Sequence, residues 1–292
     1  MAIHPTAIVG KRAKLSKDVE IGPYVIIEDD VEIGQRVKVS SHAHILEHTS
    51  IGNDCQIHMG VILGHLPQIR QASSTEGRLI VGKRNIFREY TTVHRSSQKG
   101  KATLIGNDNY FMGFSHIAHD CTIGNYVTIC NGTLVAGHAS IEDHAFVSGN
   151  VTIHQFCRIG KFAMIGGLAR IAKDVPPYMI AKGDSSVWAI NSLGLKRGSI
   201  SLQARSEIKR AFKLLYKSGL NVKQALQQLK NEAGSSEVEY LINFILRSQR
   251  GICAQKRTSW LQKIRLNSPI TRIIRMPAYR LFLHSRKGYY LF

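Results

Sequence analysis

"CTIGNYVTICNGTLVAGHASIEDHAFVSGNVTI", residues 121–153, puts an aliphatic side chain at every sixth position: Ile123, Ile129, Val135, Ile141, Val147 and Ile153. A period of six is neither the 3.6 of a helix nor the alternation of a half-buried strand. The phase extends both ways, to Ile159, Ile165 and Ile171 on one side and to Ile117, Phe111 and Ile105 on the other. An earlier run from Ile3 through Val9, Leu15, Ile21, Ile27, Ile33, Val39, Ile45, Ile51 and Ile57 to Leu63 keeps it, as do Val81, Phe87 and Val93.

A second column, two residues earlier, is small or β-branched: Ala7, Val25, Ala43, Ser115, Cys121, Ala139, Ala145, Val151, Cys157 and Ala163. Residues two apart on a strand share a face, so both columns point inward. Glycine follows the aliphatic in many repeats (Gly10, Gly22, Gly52, Gly106, Gly124, Gly160), often with Asn or a charged residue next, which is corner chemistry. Each hexapeptide is a short strand plus a turn, and the array is a β-solenoid, a parallel β-helix. Cys55, Cys121 and Cys157 then read as small core fillers. The pattern breaks over 64–80, "GHLPQIRQASSTEGRLI", and 95–104, "RSSQKGKATL", which are expected to loop out.

After Ile171 the stretch "KDVPPYMIAKGD" closes the repeat, so the solenoid domain is placed at 1–183. From Leu202 the apolar spacing becomes helical, and a small α-helical domain is expected over 190–251. Residues 252–292 form a third segment. It carries Lys256, Arg257, Lys263, Arg265, Arg272, Arg275, Arg280, Arg286 and Lys287 among many aromatic and aliphatic residues, with no acidic one.

The balance of 39 Lys+Arg against 20 Asp+Glu, formally +19, calls for an acidic partner. Nothing at the N-terminus reads as a signal peptide, and no apolar run is long enough to cross a bilayer. Five cysteines without a CxxC fit reduced thiols in a cytoplasm. The interleaved basic and apolar residues of 252–292 suit an anionic membrane surface better than nucleic acid, which is not expected as a partner; packing on the helices is the plainer reading.

Within the repeat, "HIAHDC" at 116–121 sets His116, His119 and Asp120 close together. Metal binding, nucleophile activation and plain packing all use such residues. For a metal, the i and i+3 histidines are ligand-like, but no Cys or carboxylate ligand set accompanies them.

The combination of hexapeptide repeats followed by helices with "HIAHDCTIGN", "LVAGH", "TIHQFC" and "DVPPYMIAKGD" resembles the acyl-carrier-protein-dependent UDP-N-acetylglucosamine O-acyltransferases that begin lipid A synthesis. The likeness covers roughly 1–250 and is densest over 105–183. It implies a left-handed helix of three-sided, 18-residue coils, a homotrimer with sites between subunits, and neither metal nor cofactor. Residue i then sits beside i+18, about 4.8 Å away, so His119 neighbours Gly137 and Asp120 neighbours His138. The family's general base matches His119 and its oxyanion glycine Gly137, with Asp120 expected to orient the base. Histidine's ordinary pKa of about 6.5 suits it to take a proton from a sugar hydroxyl attacking a thioester.

Carried over in the same way, His94, His116, His138 and His154 line the substrate cleft and Gln155 contacts sugar. Gly167 bears on acyl chain length, and Asn191 and Arg197 belong to the nucleotide side. His42, His48 and His144 read as ordinary corner histidines.

The nucleotide side departs from the family pattern. Its Asp and Lys in the first excursion fall here at Ile69 and Gln71, its Glu at Leu193, and "GLKRR" becomes "GLKRG", keeping Arg197 but placing Gly198 second. The family's "YQF" is replaced by His58, Met59 and Gly60, while Arg70 and Arg78 offer substitute phosphate contacts. Three readings follow: a cytoplasmic acyltransferase acting on the 3-hydroxyl of UDP-N-acetylglucosamine, a paralogue acylating another sugar nucleotide or an amino sugar, and a non-catalytic trimeric scaffold.

Overall fold

Most hexapeptides form a two-residue strand that ends on the repeat's aliphatic, as in His116–Ile117, Thr122–Ile123, Thr128–Ile129 and Leu134–Val135. Successive strands fall in turn to three sheets, of twelve, nine and eight strands, parallel throughout the repeats. The chain therefore winds in three-sided coils. This computed structural model describes residues 2–70, 76–232 and 234–255. Gln71 and residues 256–292 of the basic extension lie outside them.

Coils are offset by 18 residues where the repeat is unbroken, with His116 opposite Leu134 and Leu134 opposite Thr152. The first excursion widens the offset, placing Gln56 opposite Ile86, and the second places Thr92 opposite His116. Neither breaks the ladder, since Arg78–Val81 pairs along its length with Ala102–Ile105. The second excursion, expected to loop out, does so only in its middle. Ser96 and Thr103 are fully buried and Ser97 nearly so.

From Val19 onward both sequence columns fill the core, including Cys55, Cys121 and Cys157, each fully buried. Phe87 and Phe111 stack face to face inside the prism at 4.8 Å.

At the corners the left-handed residue is the third after the aliphatic, such as Tyr24, Asp54, Asp120, His138 or Phe156, and the glycine directly after the aliphatic is left-handed only at Gly64. Elsewhere that glycine answers to spacing: a Cβ on Gly52 would lie 2.6 Å from the Gly82 carbonyl oxygen of the next coil. Left-handed side chains stack along the axis. Tyr24 lies on His42, and Tyr126, His144 and Phe162 form a parallel column at 4.8 and 4.6 Å. Arg12, Arg36 and Arg84 pair with Asp30, Asp54 and Asp108 one coil on. Such exposed pairs contribute little each.

Among the described residues four helices follow: α1 Ser192–Arg197, α2 Leu202–Lys217, α3 Val222–Asn231 and α4 Ser236–Leu246. Asn221 and Gln224 form a reciprocal capping box at the start of α3. Helix α2 buries Ala204, Ile208, Ala211 and Leu215, the stripe its spacing predicts. Helix α4 is fastened to the solenoid by Arg158, whose guanidinium lies 3.9 Å over the Phe244 ring, and by Tyr240, whose hydroxyl donates to Glu142 at 2.8 Å. Ala254–Gln255 adds a strand beside Ser186–Val187, and residues through Gln255 form one compact unit. No helix among the described residues is long and apolar enough to cross a membrane.

Removing one ring of the internal stack tests the core. Phe111→Ala is expected to lower unfolding free energy by about 3–5 kcal/mol, read as a fall in denaturation midpoint. A loss under about 1 kcal/mol would mean that the coils collapse around the gap.

Candidate active site

His116 opens its strand, and His119 with Asp120 makes the turn that follows it. His119 Nδ1 lies 2.7 Å from Asp120 Oδ2. A carboxylate only accepts, so Nδ1 carries the proton and the neutral ring keeps its lone pair on Nε2. The Asp120 side chain is 7 % exposed. Burial pushes its carboxyl up, but hydrogen bonds from Ser96, His119 and Ser97 outweigh that and hold it at about 2. It is ionised throughout the neutral range.

One coil on, the His138 N–H donates to the His119 carbonyl at 3.0 Å. Gly137 lies against the His119 ring, where an added Cβ would come within 2.6 Å of both Nε2 and Cε1. The missing side chain is thus the seat of the imidazole. Among the described residues the Gly137 N–H meets no acceptor, which leaves it for an incoming oxyanion. His138 sits edge-on to His119 at 5.1 Å and stacks on Phe156 at 4.6 Å.

Behind these, His116 Nδ1 meets Thr92 Oγ1 at 2.8 Å, and burial, then His119, lowers its pKa. His94 packs edge-on to His116 and is 5 % exposed. Burial first, and His116 second, push it down to about 4, so it stays neutral.

His116, His119, Gly137 and His154 line one cleft of about 730 Å³, with Ala118, Leu134, Ala136, Thr152 and Ala172 making its apolar floor and Gln68 and Arg170 at its walls. Sequence reasoning missed Gln68 and Arg170: one lies in an excursion, and the other looked like an ordinary outward strand residue. Gln155 is exposed beside His154. At Gly167 a Cβ would meet nothing closer than the Gly149 oxygen at 3.5 Å, so the fold does not demand glycine there.

Asn191 and Arg197 do not reach this cleft within one chain. They line a second cavity of about 650 Å³ with Tyr126, His144, Phe162, Leu193 and Gly198. The Asn191 side chain is committed there, donating to the Phe162 carbonyl at 2.9 Å and accepting from the Gly194 N–H at 3.0 Å. The space a side chain on Gly198 would take is filled by the Phe162 ring. Arg78 donates to Ser50 at 3.3 Å on another sheet from the cleft, and His58 pairs with Glu89 at 3.3 Å.

For a metal, the sequence offered no carboxylate-bearing set, and the structure assembles one: ligand atoms of His119, Asp120 and His138 lie within 4.8 Å of one another. The His119 and Asp120 atoms are already engaged. Asp120 Oδ2 receives His119 Nδ1, Ser97 Oγ and the Ser97 N–H, an arrangement suited to proton handling. Nor does the adjacent Cys121 provide a nucleophile, because burial pushes its thiol up to about 12.

Residues 174–253 match the family described as UDP N-acetylglucosamine O-acyltransferase, domain 2. Residues 102–137 match the bacterial transferase hexapeptide (six repeats), and residues 2–98 the GMPPB C-terminal domain. The chain is 41% identical over 252 residues to an acyl-[acyl-carrier-protein]–UDP-N-acetylglucosamine O-acyltransferase of Stenotrophomonas maltophilia, covering 85% of this chain and 96% of that protein. Among solved structures it resembles the UDP-N-acetylglucosamine acyltransferase of Francisella novicida at 34% identity and TM-score 0.83, over 89% of this chain and 98% of that one. The Bacteroides fragilis UDP-N-acetylglucosamine acyltransferase matches at 39% identity and the same TM-score, over 86% of this chain and 99% of that one.

A carboxyl held at about 2 against an ordinary value near ~3.9 adds stability that is present above about pH 4 and lost as pH falls toward 2. The difference in unfolding free energy between wild type and Asp120→Asn is therefore expected to shrink over that window in urea titrations. A difference constant with pH would show that the carboxylate is not held.

Proposed function

The chain belongs to the acyl-[acyl-carrier-protein]–UDP-N-acetylglucosamine O-acyltransferase family, and we propose that it moves a long fatty acyl chain from acyl carrier protein to the 3-hydroxyl of UDP-N-acetylglucosamine, the first step of lipid A biosynthesis. The observation that carries this reading is the His119–Asp120 pair seated on Gly137 at the edge of an apolar cleft. His119 Nε2 takes the proton of the attacking hydroxyl as the new C–O bond forms. The Gly137 N–H receives the carbonyl oxygen as it gains charge. Collapse breaks the C–S bond, and the imidazolium returns its proton to the leaving thiolate, whose conjugate acid has a pKa near ~8.5. Asp120 keeps the ring in the Nδ1–H tautomer and stabilises its charged form.

In this reading the coil is left-handed and the protein works as a cytoplasmic homotrimer. The trimer accounts for Asn191 and Arg197 facing a cavity of their own, since a neighbouring copy can bring them to the acceptor's nucleotide end. Gly167 leaves room for the acyl chain. The net charge of +19 suits an acidic carrier protein. Segment 252–292 suits peripheral contact with an anionic inner leaflet, testable by truncation after Gln255 and vesicle sedimentation.

A second reading, another sugar nucleotide or an amino sugar as acceptor, is favoured by one observation. Phe162 occupies the place of a side chain at 198, and Leu193 is exposed, so the second cavity is aromatic and apolar around Arg197.

His119→Ala is expected to cut kcat by about 10²–10⁴-fold with the fold intact, because His119 lies outside both core columns. Gly137→Ala should also fail, by displacing the imidazole. Assay of wild type with an acyl carrier protein donor and a panel of nucleotide sugars decides between acceptors. Transfer to an amino sugar exceeding that to UDP-N-acetylglucosamine would establish the second reading, and substantial turnover by a folded His119→Ala protein would remove the base.

A further inference from the structure

The second interruption of the repeat closes on a single residue. The Ser96 hydroxyl donates to Asp120 Oδ1; the Ser97 hydroxyl donates to Oδ2 at 2.7 Å, and the Ser97 N–H reaches the same oxygen at 3.2 Å. From the far end of the excursion, Thr103 Oγ1 accepts the Asp120 backbone N–H at 2.8 Å. This meeting exists only because the coil is lengthened here. At the usual offset residue 102 would stand beside Asp120, whereas the inserted residues bring Ser96 there.

The grip is itself anchored. Arg95, 2 % exposed, donates from Nη1 to the Glu47 carbonyl at 2.8 Å and from Nη2 to the Glu47 carboxylate at 2.9 Å. The Arg95 and Ser96 N–H groups donate to the carbonyls of His65 and Arg78. None of this belongs to the core columns, and none of it touches the cleft.

We propose that Ser96 and Ser97 are positioning residues for the acyl-transfer base, locking the Asp120 carboxylate onto His119 and away from His138. The proposal rests on His119 being that base. The competing partner is close: His138 Nε2 lies 3.8 Å from the same Oδ2 that His119 occupies at 2.7 Å. Rotating the carboxylate toward His138 would break the bonds from both serines. The titratable groups around Asp120 are His119 and His138, with His116 and His94 behind His119 and the buried Cys121 thiol next in the chain. Without the serine hydroxyls, burial of the carboxylate is opposed mainly by the bonds from His119 and the Ser97 N–H. Asp120 then binds a proton at higher pH, and a carboxylate free to turn toward His138 stabilises a charged His119 ring less.

The test compares full-length wild type with Ser96→Ala/Ser97→Ala. We expect kcat to fall about 10-fold or more, KM for donor and acceptor to stay within about threefold, and the acidic limb of the kcat/KM profile to move to lower pH. Ser97→Thr, which keeps the hydroxyl, should restore most of kcat in a Ser97→Ala comparison. In an Asp120→Ala background the double change should cost nothing further. The proposal is overturned by an unmoved acidic limb with kcat within twofold, by a loss confined to KM, or by full additivity with Asp120→Ala. Should the chain transfer no acyl group, NMR titration of the His119 ring without substrate still decides: a shifted midpoint in the variant supports the clamp, and an unchanged one overturns it. If the double variant does not fold, the same titration on Ser97→Ala alone applies.

Discussion

A parallel ladder with rungs about 4.8 Å apart is the constraint from which the rest of this molecule follows. It puts every residue beside its counterpart one coil later and allows no exception that the backbone cannot absorb. Glycine after the aliphatic is required because the next coil's carbonyl occupies the place of its Cβ, as at Gly52 under Gly82. Aromatic corners stack because their rings have nowhere else to go, as in the Tyr126, His144 and Phe162 column. The same geometry seats His119 on Gly137. The site is a local use of the rule that builds the solenoid.

The corners carry a cost. A left-handed backbone at a non-glycine residue is worth roughly 1–2 kcal/mol of strain, and Asp120 and His138 both adopt it at φ near 60°. At structural corners, ring stacking worth about 0.5–1.5 kcal/mol offsets much of this. At Asp120 the offset comes from hydrogen bonds: the backbone N–H to Thr103 and both carboxylate oxygens to serines. A corner held by polar groups from the previous coil fixes a direction for its side chain, which a ring stack does not. That difference separates the His119–Asp120 corner from the column containing His144.

This explains which parts were legible in the sequence. The buried columns were readable because their period is covalent, one aliphatic every six residues, and the contacts of His119 with Gly137 and Asp120 with His138 followed from the coil length. Which corner residue is left-handed was not legible, because turn propensity argues from single residues, whereas here the next coil decides. Ser96 and Ser97 were invisible for a sharper reason. They lie where the period fails, so no phase connects them to Asp120, and only the widened register of Thr92 opposite His116 does so. The one signal available was the run of small hydroxyl residues directly after His94 and Arg95 in an excursion otherwise rich in Lys and Gly.

The cavity around Arg197 obeys another logic. Around Arg197, the position that would hold a second cation is Gly198, and it is glycine because the Phe162 ring stands where a side chain would begin. Phe162 is itself held by the stack on His144 and by Asn191, whose amide donates to its carbonyl. A single replacement at 198 therefore cannot restore a cation without also clearing residue 162, and clearing 162 unmakes part of an axial stack and exposes the cap of α1. Residues 162 and 198 are one packing unit. Its chemistry is a planar, apolar wall beside one guanidinium.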